Sequence, residues 1–303
     1  MPQVDILLAS YNGEKYIQTQ IASIVTQSFQ DWNLIIHDDG SSDKTLDIIR
    51  KWQQIDNRIK LVEDGIVFHN SPANFMHLLR FAEGDFIMFC DQDDLWLDNK
   101  IELMFNAIAQ KDNTKPQVVY ANAYIWNNNS ISSDTIPFWK PKQVKDTLFL
   151  NGGIHGCISL FNRKVLELMK QQKGQQAMHD HILLLIALCF GEVTYMNESL
   201  VLFRRHNTAV TNGTEVKKTA VGNLTNKENL PVIDRKHYDA VALLYQNNKD
   251  LLTTKQKELI NAYLSMPNKT LLKRYAMILK HGFTLGGSLL QLLVKMTVRK
   301  LIN

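Results

Sequence analysis

Cysteine is scarce in this chain of 303 residues: Cys90, Cys157 and Cys189 are the whole complement, and no pair stands in CxxC spacing. An odd, scattered set suggests neither a disulfide framework nor a zinc site, and fits packed thiols in a reducing cytoplasm. Long apolar runs are missing too. The longest uncharged piece of the C-terminal region, residues 281–294, has 14 residues, short of the roughly 20 that cross a bilayer. The chain opens Met1-Pro2-Gln3-Val4-Asp5, with no basic leader and no extended apolar stretch, so no signal peptide is expected. Acidic residues are absent from 259–303, where seven basic ones stand. The rest of the chain holds 27 basic against 30 acidic residues, so the formal net charge of +4 belongs to this tail. No internal repeat or low-complexity tract is evident, and 45% hydrophobic with 21% charged residues leaves little room for disorder. A chain of this length buries a substantial core, in one large or two modest domains.

What is present is acidic and local. Asp91-Gln92-Asp93-Asp94 puts three carboxylates in four positions, directly after the apolar run Phe86-Ile87-Met88-Phe89-Cys90. That run reads as a short buried strand, with the acids on the loop leaving its C-terminal edge, where open α/β sheets bind ligands. Crowded carboxylates repel unless a cation neutralises them, and oxygen ligands suit a hard divalent ion such as Mg²⁺ or Mn²⁺. A solvated acidic turn before the helix expected near Asp98 is the bland alternative. A second cluster, Asp38-Asp39-Gly40-Ser41-Ser42-Asp43, follows Leu34-Ile35-Ile36 and precedes a helical pattern with Leu46, Ile49 and Trp52. A third strand-like run, 4–9, gives way to Ser10-Tyr11-Asn12-Gly13-Glu14 and an amphipathic helix. Strands are expected at 3–9, 33–38, 59–63, 86–90 and 117–124, and helices near 14–27, 43–54, 72–83 and 98–111. This alternation predicts a mainly parallel α/β sheet covered on both faces. Residues 126–150 read as a surface loop or lid, 163–171 and 179–190 as helices, 193–196 and 199–203 as short strands, and 207–229 as a polar loop.

The opening Leu7-Leu8-Ala9-Ser10-Tyr11-Asn12-Gly13, the segment from His37 to Thr45 and Asp91-Gln92-Asp93-Asp94-Leu95-Trp96 together resemble family 2 inverting glycosyltransferases of the GT-A fold. Asn74-Phe75, His179-Asp180 and Phe203-Arg204-Arg205-His206 look like the bacterial rhamnosyltransferase branch, which builds cell-surface polysaccharides. The likeness is strong over residues 3–110, good at 150–210 and weak beyond. It implies a catalytic domain over 1–210 (nucleotide-binding half 1–125, acceptor-side half 126–210) and a basic helical extension over 211–303.

The same resemblance assigns roles. Ala9, Tyr11 and Glu14 would cradle a pyrimidine base, and Asp39 would accept from its imide N–H. Tyr11 is otherwise a half-buried junction tyrosine, and Glu14 a first-turn helix acid. Asp93 matches the metal-coordinating acid and Asp91 the acid near ribose and metal. His206 would complete the metal shell or meet the diphosphate, unless it is structural. Arg204 or Arg205 would contact phosphate. Phe203 departs from the tyrosine usual in that element. Asp180 matches the base that deprotonates the acceptor, with an N-cap role as the alternative; His179 and His181 qualify by pKa alone. Acceptor contacts are expected from Trp96, the Trp139 loop and the segment from Gly152 to Cys157, His155 included, with a core position open for Trp96.

The expected reaction is metal-dependent, inverting transfer from dTDP-L-rhamnose to a lipid-linked or oligosaccharide acceptor. A UDP-hexose or UDP-N-acetylhexosamine donor is the main competitor, and a nucleotide-sugar-binding assembly subunit is the non-enzymatic one. A nucleotidyltransferase would carry a glycine-rich basic loop where Asn12, Gly13 and Glu14 stand. Leu271, Leu272, Tyr275, Ile278 and Leu279, then Leu289, Leu290, Leu293, Met296 and Leu301, recur at helical spacing among the tail's basic residues. Such helices favour an anionic membrane surface, at the cytoplasmic face, or else pack on a second subunit or on the catalytic domain. No nucleic-acid partner is expected.

Overall fold

A computed structural model of the chain describes residues 3–127, 130–136, 139–150, 154–173, 178–205 and 231–302. The elements begin β1 Val4–Ser10, α1 Ile17–Val25, β2 Trp32–Asp38, α2 Thr45–Ile55, β3 Ile59–Val62, α3 Ser71–Leu78, β4 Phe86–Asp91 and β5 Leu95–Trp96. They continue α4 Lys100–Ala109, β6 Gln117–Asn127, β7 Ser130–Ile136, α5 Val144–Thr147, β8 Ser159–Asn162, α6 Arg163–Lys170, α7 His179–Phe190 and β9 Glu192–Arg204. Helices α8 Arg235–Asn248, α9 Thr254–Ser265, α10 Leu271–His281 and α11 Leu289–Val298 close the chain. Two compact units result: residues 1–140 with 153–204, and residues 141–152 with 205–303.

The first unit is a mixed α/β sheet, with strand order β3-β2-β1-β4-β8-β6-β9-β5 and β7 paired to β6. Strand β1 runs parallel to both β2 and β4. Its Val4, Ile6, Leu7 and Leu8 have no exposed surface, as a strand covered on both faces requires; each contributes roughly 1.5–3 kcal/mol of burial. The chain leaves β1 toward β2 and β3, then returns to its other side as β4. A crevice at the C-terminal ends of β1 and β4 is therefore a topological switch point. At the far end, the buried Asp5 carboxylate accepts from the Gly84 N–H at 2.7 Å and the Asn33 amide at 3.0 Å, pinning the entry to β4. Antiparallel pairings enter with β8, which joins β4 to β6, and with β5 and β7. Gly191 ends α7 where a Cβ would lie 1.9 Å from the Pro116 carbonyl oxygen; no other residue fits that approach.

Two expectations change. Residues 130–136 form a strand antiparallel to β6, so part of the expected loop is sheet. The two short strands expected at 193–196 and 199–203 are one, β9, whose pairing with β6 shifts register near Asn122 instead of breaking. The 207–229 stretch and His206 lie outside the described residues.

In the second unit, α5 and the segment after it pack with the C-terminal helices. His237 Nε2 donates to the Leu148 carbonyl at 2.9 Å, and the Phe149 ring sits 5.3 Å from Tyr263 and 5.4 Å from Phe283. Thr253 and Gln256 form a capping box that starts α9. Gly282 ends α10 in the left-handed conformation, φ 64°.

Candidate active site

Register alone brings the first two motifs together: Ala9 on β1 pairs with His37 on β2 and Asp91 on β4, and Ser10 pairs with Asp38. The loop after β1 interlocks with the loop after β2. Asn12, at φ 47° in the left-handed region that asparagine tolerates, donates its N–H to Ser41 Oγ at 2.8 Å and accepts from the Ser42 N–H at 2.9 Å. Asp38 faces inward on its own loop, accepting from the Ser41 N–H and the Ser10 hydroxyl, both at 2.8 Å. Asp39 is buried and anchors the loop before α3: its two oxygens accept the Phe68 and Asn70 N–H groups, the latter at 2.9 Å. Each oxygen keeps a second lone pair for a base. Glu14 accepts the Lys44 N–H at 3.1 Å, beside the start of α2 rather than its own helix. Tyr11 is half exposed, with its ring edge-on to His69 at 6.4 Å.

The acidic loop is tied down on three sides. Gln92 accepts the Tyr11 N–H and donates to the Tyr11 carbonyl, each at 2.9 Å, joining it to β1. Arg204 Nε donates to the Asp93 carbonyl at 2.7 Å, while the Arg204 N–H donates to Asp94 Oδ1 at 3.0 Å. The Arg204 guanidinium lies 3.7 Å over the Trp126 ring and 4.8 Å from that of Tyr16. Beneath the loop lies Lys100, fully buried; its ammonium donates to the Cys157 carbonyl at 2.6 Å and sits 3.1 Å from the Trp96 ring centroid.

Asp180 is the second residue of α7, with Met178 as the N-cap, so the capping alternative does not hold. The backbone of Gly156, on the turn before β8, and that of the first turn of α7 act on the Asp180 carboxylate to favour the charged form. Burial pushes it up to about 6 against that effect. Asp91 is pushed up in the same way, by burial first and then by the charges of Asp93 and Asp180, and Asp94 by burial, Asp91 and Asp93. Four carboxylates on two distant parts of the sequence thus share one electrostatic environment. His179 is buried against Phe75, ring centroids 3.9 Å apart, and burial drives it down to about 3. It is a neutral core residue, and His181 is equally buried.

A divalent cation fits this set. Ligand atoms of Asp91, Asp94 and Cys157 lie within 4.8 Å of one another, and Asp94 Oδ2 is buried without a hydrogen-bond partner. Repelling, desolvated carboxylates with an orphaned oxygen are what a hard cation would satisfy.

The acceptor residues divide. Trp96, 2% exposed, is core beneath the acidic loop; its expected acceptor contact is corrected, because the ring is covered by Lys100. His155 lies just before the Gly156 turn, 5.8 Å from the Phe203 ring. Trp139 is half-buried beyond β7. Arg205 directly follows β9. Lys100 and Gln92 were not singled out from the sequence as parts of this centre, while the Gly156–Cys157 turn belongs to the segment expected to meet the acceptor. One signal was available: a lysine at the start of an apolar helix face, with Ile101, Met104 and Ile108, four positions after Trp96.

Three polar strand ends therefore meet at a switch point, with the acidic loop and Asp180 in one electrostatic environment. The profile of Glycosyl transferase family 2 matches residues 5–169, more than half of the chain, and the chain belongs to that family. It is 35% identical over 158 residues to UDP-Glc:alpha-D-GlcNAc-diphosphoundecaprenol beta-1,3-glucosyltransferase WfgD of Escherichia coli, covering 52% of this chain and 58% of that protein. It is 33% identical over 129 residues to dTDP-rhamnosyl transferase RfbG of Shigella flexneri, covering 41% of each. Among solved structures, S. aureus TarS 1-349 in complex with UDP-GlcNAc matches with TM-score 0.59 and 16% identity, over 91% of this chain and 78% of that one. The fold is GT-A.

Proposed function

We propose that the chain transfers a hexosyl unit from a pyrimidine nucleoside diphosphate sugar to a hydroxyl of a lipid-linked or polysaccharide acceptor, with inversion, in bacterial surface-glycan synthesis. The observation that carries the reading is the Asp180 carboxylate at the start of α7, raised by burial and within electrostatic reach of Asp91 on the acidic loop. Asp180 takes the acceptor proton as the acceptor oxygen bonds to the anomeric carbon, and the bond to the diphosphate breaks with its electron pair leaving on oxygen. An acid raised to about 6 is a stronger base than an ordinary aspartate and is still ionised at neutral pH. Asp91 and Asp93, with Asp94 beside them on the loop, would hold a divalent Mn²⁺ or Mg²⁺ ion, to which the motif adds His206 as a candidate ligand. Such an ion supplies charge neutralisation to the departing diphosphate. Tyr11, Ala9, Glu14 and Asp39 form the base-side wall, and Arg204, whose Nε holds the Asp93 carbonyl, or Arg205 would contact phosphate.

The donor separates two readings. Motif details favour dTDP-L-rhamnose, while the 35% identity to a protein named for UDP-Glc favours UDP-glucose. Thermal-shift and donor-hydrolysis measurements against dTDP-rhamnose and UDP-sugars, with and without Mn²⁺, decide between them. A metal-dependent rise in melting temperature with one donor class, lost in Asp93→Ala, is the expected result. No response to any nucleotide sugar would overturn the enzyme reading.

We further propose that α10 and α11 rest on an anionic membrane surface at the cytoplasmic side, rather than on a second copy. No helix among the described residues is long and apolar enough to cross a membrane. Leu272 and Leu290 are 80% and 71% exposed, on helices that also carry Lys273, Arg274, Lys280 and Lys295. Basic apolar faces of this kind bind anionic interfaces. Sedimentation with anionic vesicles is expected for the native chain and not for Leu272→Glu/Leu290→Glu; equal recovery with neutral vesicles would refute charge-driven docking.

A further inference from the structure

A second cluster of ligand-type side chains lies at the opposite wall of the base pocket, between β2, the loop before α3, and α3 itself. His37 Nδ1 is 2.7 Å from Asn74 Oδ1, and Asn74 Nδ2 donates to the His37 carbonyl at 3.2 Å. A carbonyl only accepts, so the nitrogen end of the Asn74 amide is fixed. Its oxygen must then accept from His37 Nδ1–H. Neutral His37 therefore presents a lone pair at Nε2, and that atom faces Asp64 Oδ1 at 3.4 Å. A lone pair set against a carboxylate is repulsive unless a proton or a cation stands between them.

At 3.4 Å the pair is longer than a close charge-assisted contact and is compatible with two ligands of one ion. Charge-assisted N–H···O contacts close to about 2.7–2.9 Å. Ligand atoms on adjacent corners of a tetrahedral zinc, with bonds of about 2.0–2.2 Å, lie roughly 3.3–3.5 Å apart. On the other side of the carboxylate, His77 Nε2 meets Asp64 Oδ2 at 2.6 Å. The ligand atoms of all three residues lie within 4.8 Å of one another. Both imidazoles are buried, while the Asp64 side chain is 27% exposed, which leaves a route for an ion and a position for water. The bond from His37 Nδ1 to Asn74 is the outer hydrogen bond that metal-binding histidines use to fix their tautomer.

We propose that His37, Asp64 and His77 form a binding site for a zinc-class divalent ion, separate from the acidic loop. Two imidazole nitrogens and one carboxylate oxygen are a borderline donor set, which selects Zn²⁺ or Co²⁺ over Mg²⁺. Uptake places the ion between His37 and Asp64 and displaces the proton from His77 Nε2. The bound ion ties the loop at Asp64 to β2 and α3. That loop continues to Phe68 and Asn70, whose N–H groups Asp39 holds, so the ion would stiffen one wall of the base pocket. The proposal is independent of the transferase reading, because the ligands lie outside the acidic centre.

The test uses the full chain carrying Asp93→Asn, which weakens the other cation site, stripped with chelator and titrated with Co²⁺. One equivalent bound with the intense visible absorption of four-coordinate cobalt is expected, displaced by Zn²⁺ and not by Mg²⁺. His77→Gln and Asp64→Asn should each abolish that absorption, and Asn74→Ala should weaken Zn²⁺ binding by about 10–100-fold. Asp64 is partly exposed, so Asp64→Asn keeps the test valid if His77→Gln fails to fold. Absence of the absorption, which would leave a hydrogen-bonded His–Asp–His relay only, overturns the proposal. So does absorption that survives Asp64→Asn unchanged.

Discussion

Asp180→Asn is expected to lower turnover by about 10²–10⁴-fold, the range general-base catalysis supplies, with donor binding retained. The substitution keeps the side chain's size and one carbonyl oxygen, and Met178 rather than Asp180 caps the helix, so the start of α7 stays in place. What disappears is the lone pair that takes the acceptor proton. Metal affinity gives an independent sign. The Asp180 charge is one of the causes that raise Asp91, so removing it makes Asp91 easier to ionise and cation binding equal or tighter. A residue that ligated the ion would give the opposite result. Calorimetric titration with Mn²⁺, beside single-turnover rates, separates the two roles. Near-normal turnover in Asp180→Asn would eliminate it as the base.

Much of this centre was legible because three of its parts are local. Each strand of the nucleotide half is a short apolar run ending in a polar turn, and the polar turns fall on one sheet edge once β1 lies between β2 and β4. Asp39 and Asp91 were named by their places in motifs that resemble those of the family. Partners that meet only through folding left weaker marks. The bond from Lys100 to the Cys157 carbonyl spans 57 positions, and that from Arg204 to Asp94 spans 110. Arg204, one of two arginines expected at phosphate, also ties the acidic loop and lies over two aromatic rings, contacts that no local pattern announces. Trp96 read as a sugar platform because nothing local reveals that a lysine covers it. The strand at 130–136 was hidden by its polar composition: Ser130-Ile131-Ser132-Ser133-Asp134-Thr135 forms an edge hairpin arm, paired only to β6.

Lys100→Met is expected to change the pH dependence of stability and to slow catalysis, two effects with one cause. In the metal-free native chain, burial drives Lys100 down to about 7 and raises Asp180 to about 6. The acid holds a proton in the folded state that the unfolded chain has lost above the ordinary value of 3.8. Stability from this group therefore falls as pH rises toward 6. The lysine does the reverse: between about 7 and 10.5 the unfolded chain holds a proton that the folded chain has released, so stability rises with pH. Together these groups put the minimum between about 6 and 7, and Mn²⁺ should lift it most above pH 6, where the acids ionise. Methionine fills the space without an ammonium. It removes the alkaline limb, which is on the order of a few kcal/mol at about 1.4 kcal/mol per pKa unit. It also orphans the Cys157 carbonyl, at a cost of about 1–3 kcal/mol. Near pH 7 relief from burying the ammonium offsets much of that cost, so the two proteins should melt within a few degrees of each other there and diverge at pH 9–10, the native chain being the more stable. Catalysis has no such offset. Lys100 holds the turn at Cys157, next to the Gly156 backbone that acts on Asp180, and a displaced base costs about 10–10²-fold in kcat, with donor KM much less affected. Parallel melting curves from pH 5 to 10, or an unchanged kcat, would show that the buried lysine only fills space.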